Sequence, residues 1–242
     1  MKTSKFLLFV ILIFICVSSV YTQTKKSKKE DKKAISTKFI HWYGQAAFRL
    51  EDGEKQIYID PFKLPEKDLP KADFILITHS HFDHYSVVEI DKIKKPETII
   101  LIPADLKEKF DGKATVVEPG KEYKFDKITI NTIRAYNIGK KFHPKENNWV
   151  GYIVHLSDAV SIYHAGDSDA TPEMEKVKTD IALLPIGGKY TMTAIEAAGA
   201  VNVFKPKIAI PMHYGDVVGS DKDAETFKKM AKTNVEIKTR DK

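Results

Sequence analysis

The chain has a single cysteine, Cys16, among 242 residues. That excludes an intramolecular disulfide. Cys16 also lies in an N-terminal apolar run, so the rest of the chain has no thiolate to act as nucleophile or metal ligand. Long apolar stretches are lacking as well. Phe6 to Val17 is an unbroken run of twelve, short of the roughly 20 residues a membrane-spanning helix needs. No internal repeat is present, and the only biased segment is Lys25 to Lys33, with six lysines and no apolar residue. That segment accounts for most of the formal charge of +6, which leaves the remainder near neutral. Binding to a phosphate backbone needs a basic face on the domain itself, so nucleic acid is not the expected partner.

The N-terminus has a three-part pattern: a short basic region (Met1 to Lys5), the apolar run, then small and polar residues from Ser18 to Gln23. This is the expected form of a secretory signal peptide. We read 1–22 as that signal, 23–36 as a lysine-rich disordered linker, and 37–242 as one domain large enough to bury a sizeable core. The expected location is therefore secreted, with no membrane span after signal cleavage. Oligomeric state is not legible.

Histidine is where the sequence is rich. Three of eight histidines fall within six residues in Thr78-His79-Ser80-His81-Phe82-Asp83-His84. The preceding Phe74-Ile75-Leu76-Ile77 reads as a buried strand, so the donors crowd the turn at its end. A buried strand fixes the backbone, and the turn aims several side chains at one point. Imidazole nitrogen and carboxylate oxygen are the usual donors to zinc, at roughly 2.0–2.2 Å. Adjacent Asp83 and His84 do not easily converge with both earlier histidines on one tetrahedral ion. Two ions remove the difficulty: His79 and His81 hold one, Asp83 and His84 the other. Ions roughly 3.5–4 Å apart can polarise an ester or phosphate oxygen.

Along the rest of the chain, apolar strands end in donors more than once. Strands are expected over Phe39–Leu50 (turning at Gly44), Gln56–Ile59, Thr98–Ile102, Ala114–Glu118, Glu122–Phe125, Ile128–Ala135, Val150–Leu156, Val160–His164, Asp180–Pro185, Lys207–Met212 and Val235–Thr239. Helices are expected over Val87–Ile93, Ala104–Phe110, Thr193–Phe204 and Asp223–Thr233. His79, Asp167 and His213 each follow an apolar strand by one to three residues. Loops at one end of packed strands gather at one edge, where ligands bind. His41 and His155 read as ordinary strand residues, and Asp169 as a helix N-cap before Thr171-Pro172-Glu173.

His79-x-His81-x-Asp83-His84 resembles the signature of the metallo-β-lactamase fold superfamily of hydrolases. Within it the chain is similar to the branch of ascorbate-6-phosphate lactonase-like and N-acyl-phosphatidylethanolamine phospholipase D-like proteins, over Phe39 to Thr239. The resemblance implies an α+β fold, a four-layer αββα sandwich of two face-to-face sheets with helices outside. It implies that Asp167 bridges two metals, that His213 completes the second with Asp83 and His84, and that Asp60 steadies the metal loop by holding a histidine. In several relatives a further ligand histidine stands where Asn137 stands here. Asn137 is a poor zinc ligand, and the nearest imidazole, His143, is expected to take that place. Lys189 and Tyr190, in a glycine-bordered loop, and Trp149 are expected to touch substrate.

The expected cofactor is two divalent ions, most simply Zn2+, with Mn2+ or Fe2+ equally suited to these donors. The implied activity is hydrolysis of an ester, lactone or phosphodiester bond in a small molecule by a metal-bridging hydroxide, which Asp83 orients. His143, Tyr190 and Tyr214 are the candidate general acids. A phosphodiesterase acting on phospholipid or nucleotide, and a metal-binding protein of the same fold without turnover, remain the alternatives.

Overall fold

In the computed structural model the residues described are 35–242. The expected signal and nearly all of the expected linker lie outside them. Among the described residues, no helix is long and apolar enough to cross a membrane.

The first sheet has six strands in sequential order: β1 (Ile40–Gly44), β2 (Ala47–Asp52), β3 (Lys55–Ile59), β4 (Phe74–Leu76), β5 (Ile99–Ile102) and β6 (Thr115–Val116). The first three run antiparallel through tight turns, and β3 to β6 are parallel. Side chains alternate across β3 to β5. Tyr58, Ile75, Ile77, Ile100 and Ile102 face Ile90 and Ile93 of α1 (Val87–Ile93). Ser86 caps that helix by accepting from the Glu89 N–H. Fully burying each such side chain stabilises the fold by roughly 1.5–3 kcal/mol.

The second sheet has seven strands: β7 (Glu122–Phe125), β8 (Ile128–Arg134), β9 (Val150–His155), β10 (Ser161–His164), β11 (Ile181–Pro185), β12 (Ile208–Met212) and β13 (Asn234–Val235). They lie in reverse sequential order, from β13 to β7. β7 to β10 are antiparallel and β10 to β13 parallel. α2 (Ala194–Phe204) lies against β11 and against α3 (Asp221–Met230). Phe204 meets the ring of Tyr163 edge-on. The sheets meet through Phe74 on Phe125, whose ring centroids are 5.3 Å apart, and through Tyr152, whose hydroxyl donates to the Ile77 carbonyl at 2.7 Å. The result is the expected four-layer sandwich.

Three expectations are corrected. Ala104–Lys109 is a 3₁₀ helix, with Leu106 its one buried side chain, so it has no apolar stripe to hold an α-helix on the sheet. α3 begins at Asp221 because Ser220 donates from both backbone and hydroxyl to Asp223. The last strand is only two residues long, because beyond Glu236 the chain turns to β1, where the Asp241 N–H donates to the Trp42 carbonyl.

Candidate metal centre

Four segments bring donors to one rim between the sheets, and a fifth supports them from beneath. The loop after β4 supplies His79, His81, Asp83 and His84. The loop between β8 and β9 supplies His143, the turn after β10 supplies Asp167, and the end of β12 supplies His213. The turn after β3 contributes Asp60 beneath them. Several of these turns need unusual backbone. Asp60, His143 and His213 have φ of 47°, 59° and 60°, a region few non-glycine residues enter, and one met at functional sites. Gly166, at φ 62°, leads into Asp167, and a Cβ there would lie 3.1 Å from the Val150 carbonyl oxygen and 3.2 Å from Thr78 Cβ. A Cβ on Gly187 would press to 2.6 Å on the His213 carbonyl oxygen, so this glycine is what lets His213 approach.

The donors form two sets that share Asp167. In the first, His79 Nε2 and His143 Nε2 each lie 3.1 Å from His81 Nδ1. In the second, Asp83 Oδ2 lies 3.6 Å from both His84 Nε2 and His213 Nε2. Asp167 sits between: Oδ2 is 3.1 Å from His213 Nε2, 3.3 Å from His143 Nε2 and 3.9 Å from His79 Nε2, and Oδ1 is 3.3 Å from His84 Nε2. Donors about 2.0–2.2 Å from one ion at tetrahedral angles stand about 3.3–3.6 Å apart. The spacings fit cations enclosed by each set. The unpaired atoms fit as well: His84 Nε2, Asp167 Oδ1 and both ring nitrogens of His213 are buried without a hydrogen-bond partner, a costly arrangement unless a ligand satisfies them.

The outward nitrogens decide which way the lone pairs point. His84 Nδ1 donates to Asp60 Oδ2 at 2.7 Å. His79 Nδ1 donates to Thr78 Oγ1 at 2.9 Å, and that hydroxyl donates on to Asp60 Oδ2 at 2.6 Å. His143 Nδ1 donates to the Tyr190 carbonyl at 3.1 Å. With a proton held at each Nδ1, each Nε2 turns a lone pair inward. Asp60 also accepts the Thr78 N–H at 2.8 Å, so one fully buried carboxylate fixes both the loop and two of its imidazoles.

Burial opposes charge on His84 and His213. Asp167 and Asp60 overcome it at His84, raising its pKa well above the usual value, and Asp167 with Asp83 raises His213 to about 9. Burial works against the carboxylates too, but the facing His213 imidazole, 3.6 Å away, and the charge of His84 bring Asp83 down to about 2, and His213 with His84 holds Asp167 well below its usual range. Burial, with His84 beside it, pushes His79 far down, and burial with His143 lowers His81. Metal-free, the second set is thus a protonated imidazole pair facing carboxylates. A divalent cation takes the place of those protons.

Other residues singled out in the sequence fall as follows. Asn137 is not one of the inward donors but stands directly behind one, its amide nitrogen 3.1 Å from His143 Nδ1. Its amide donates to the Phe142 and Tyr190 carbonyls at 3.0 and 2.6 Å, and its N–H to the His143 carbonyl at 2.8 Å, so it shapes the loop that presents His143. Asp169 is not an N-cap. Thr171 caps that turn by accepting the Met174 N–H, while Asp169 holds the His143 loop through the Ile138 N–H and Lys140. Trp149 is buried behind the first set, its ring centroid 4.8 and 4.9 Å from those of His79 and His81, and its N–H donates to Asp105. It backs the histidines and does not line the cleft in front of them, so the substrate role expected for it is corrected. Lys189 is exposed outside that lining, with its ammonium over the Tyr190 ring, and Tyr190 does line it. Tyr214 is buried against Trp42 and is removed from the general acids. His41 pairs with Asp241 and Glu51 away from the cluster, and His155 binds Asn131 within the sheet. His164 accepts the Gly166 N–H and donates to the Ala46 carbonyl, bracing turns on both sides of the site.

Gln45 was missed. It is fully buried, with φ 46°. Its amide donates to Asp83 Oδ2 at 2.8 Å, and its carbonyl accepts the His213 N–H at 2.8 Å. One residue thereby positions two members of the second donor set. Only its place beside Gly44 in a turn marks it in the sequence.

A two-sheet sandwich with buried His/Asp donor sets at its rim defines a metallohydrolase of the β-lactamase type. The family model described as beta-lactamase superfamily domain matches residues 39–213. A metal-dependent hydrolase of Pyrococcus abyssi is 37% identical over 212 residues, covering 81% of this chain and 92% of its own. One of Archaeoglobus fulgidus is 34% identical, with coverage of 80% and 90%. Among solved structures, a proposed metal-dependent hydrolase of Parabacteroides distasonis superposes with TM-score 0.75 at 33% identity, over 82% of this chain and 91% of that one. The chain belongs to the beta-lactamase superfamily domain family, among its metal-dependent hydrolases.

Proposed function

We propose that this chain hydrolyses an ester or lactone of a small molecule, using one divalent cation held by His79, His81 and His143 and a second held by Asp83, His84 and His213, with Asp167 shared. The observation that carries the reading is the Asp167 carboxylate within 3.1–3.9 Å of four imidazole nitrogens from three separate segments. Bound there, the cations supply Lewis acidity, lowering the pKa of water toward about 7 and polarising the oxygen of the scissile bond. Zinc suits the imidazole-rich set, and manganese or iron would be held by the same atoms.

The chain's own residues orient and protonate. Asp83 keeps its charge, and Gln45 fixes its Oδ2, so the carboxylate is set to align the attacking water. Apart from the donors, Tyr190 is the one lining side chain with a proton to give, and it acts as general acid toward the leaving oxygen. Trp149, Thr78 and Asp60 hold the imidazoles in place and keep water from behind them.

The test is turnover of a lactone panel and of bis-p-nitrophenyl phosphate by purified protein, with and without chelator. We expect chelator-sensitive lactone or ester cleavage. In His81→Ala and Asp83→Ala it should fall by several orders of magnitude with the fold intact. Cleavage of the phosphodiester alone would move the reading to phosphoryl substrates. Silence at full metal occupancy would leave a binding protein.

A further inference from the structure

The cleft in front of the donors differs in character from its floor. Its volume is about 270 Å³, room for roughly nine water molecules at about 30 Å³ each. Apart from the metal donors, it is lined by Phe82, Phe142, Tyr190 and Val217. No lysine or arginine is among the lining residues. The nearby Lys140 is engaged by Asp169 and the Thr191 carbonyl, Lys63 by Asp216, and Lys189 stands outside the lining with its ammonium 5.1 Å from the Tyr190 ring centroid. Phe82 is 69% exposed, Phe142 44% and Val217 37%. Thus three of the nine large apolar side chains exposed among the described residues border this one mouth. They come from three separate loops; Phe62 meets Phe82 edge-on at 5.9 Å from outside the cleft, and Tyr190, itself in the lining, meets Phe142 at 4.9 Å. Apolar side chains held open to water at the entrance of a polar site mark what the site takes up.

We propose that the cleft selects an uncharged ester or lactone whose acyl part is a short apolar chain or ring, and rejects substrates with a second anionic group. This rests on the hydrolase reading above. The carbonyl meets the donor-lined floor, and the chain lies between Phe82, Phe142 and Val217. Water adds to the carbonyl carbon and the C–O bond to the leaving group breaks. The acyl part departs as a carboxylate, the alcohol takes one proton, and one is released to solvent. A second carboxylate on the acyl chain would lose hydration between Phe82, Phe142 and Val217 with no cationic side chain in the lining to pair with it, which is strongly unfavourable. This separates the proposed substrate from nucleotides and other multiply charged phosphates.

The experiment uses the metal-loaded protein with p-nitrophenyl acetate, butanoate and hexanoate, and with the mono-p-nitrophenyl ester of adipate, which matches the hexanoate but ends in a carboxylate. Calorimetric binding of hexanoate and adipate runs alongside. We expect kcat/KM to rise about two- to fourfold per methylene, and the hexanoyl ester to exceed the adipyl ester by about 100-fold or more. Phe82→Ala and Phe142→Ala should lower the hexanoate-to-acetate ratio while metal content per chain stays as in the wild type. A flat series, or equal use of the adipyl ester, overturns the proposal. So does capture by phosphatidylcholine vesicles without any chain-length effect, which would assign the rim to a lipid surface. If hexanoate binds more tightly than adipate yet no ester is cleaved, the apolar cleft stands and the hydrolase reading fails.

Discussion

Asp60→Asn changes the site at its deepest point without changing its shape. In the wild type, Asp60 Oδ2 accepts from both Thr78 Oγ1 and His84 Nδ1, and Oδ1 from the Thr78 N–H. Asparagine keeps one acceptor for the Thr78 N–H but presents an NH2 to the other two groups. His84 must then give up its Nδ1 proton to accept from that amide. The proton moves to Nε2, the atom 3.3 Å from Asp167 Oδ1 and 3.6 Å from Asp83 Oδ2, and the inward lone pair is lost. Loss of an outer partner of a metal-binding histidine typically costs 10–100-fold in metal affinity. The lost charge-assisted hydrogen bond costs about 1.5–3 kcal/mol, which for a domain of this size is about 3–12 °C in Tm. Zinc titration by calorimetry should therefore show the second equivalent, whose His84 Asp60 holds directly, weakened by 10–100-fold, and the first, whose His79 it reaches only through Thr78, weakened less; the chelated variant should melt several degrees below the chelated wild type. Unaltered binding of both equivalents would refute the reasoning.

Three further outcomes follow from the same geometry. His143→Ala removes one imidazole of the first set, so mass spectrometry should find it short of one cation per chain; unchanged metal content would remove His143 as a ligand. Gln45→Leu keeps the volume but frees Asp83 Oδ2, and should weaken the second cation by about tenfold while leaving the first. Equal weakening of both would mean that Gln45 acts only through the fold. In the chelated protein, His213 is raised from an ordinary 6.5 to about 9. Its contribution to stability is fully present below pH 6.5 and is lost as pH rises through 9. The Tm of chelated protein should thus fall across that window, and a Tm that is flat or rising there would contradict the assignment.

The sequence was most informative where neighbours in the chain are also neighbours in space. His79, His81, Asp83 and His84 come from one turn after one apolar strand, so their convergence could be read from spacing alone. Asp167 and His213 were legible as donors at strand ends, although their meeting depends on two sheets closing. His143 was reachable only as the imidazole nearest to Asn137. The loop that delivers it is shaped by Asn137, Asp169 and Lys140, contacts that no local pattern announces. Gln45 was invisible because its role comes from a left-handed turn that places one amide against Asp83 and one carbonyl against His213, residues 38 and 168 positions away. Trp149 and Asp169 were placed wrongly for a related reason. An indole can wall a cleft or back a histidine, and an aspartate can cap a helix or tie down a loop; only the tertiary neighbours decide. The helix at 104–110 failed on burial, since a helical pattern with a single buried residue has no face to anchor it.

The most direct measurement is the number of divalent cations per folded chain, by native mass spectrometry on protein purified without added metal and then loaded with zinc. We expect two in the wild type, with the pair lost or halved in Asp167→Ala. A wild-type chain that takes up none, or that saturates at one, would contradict a centre built from two donor sets around Asp167.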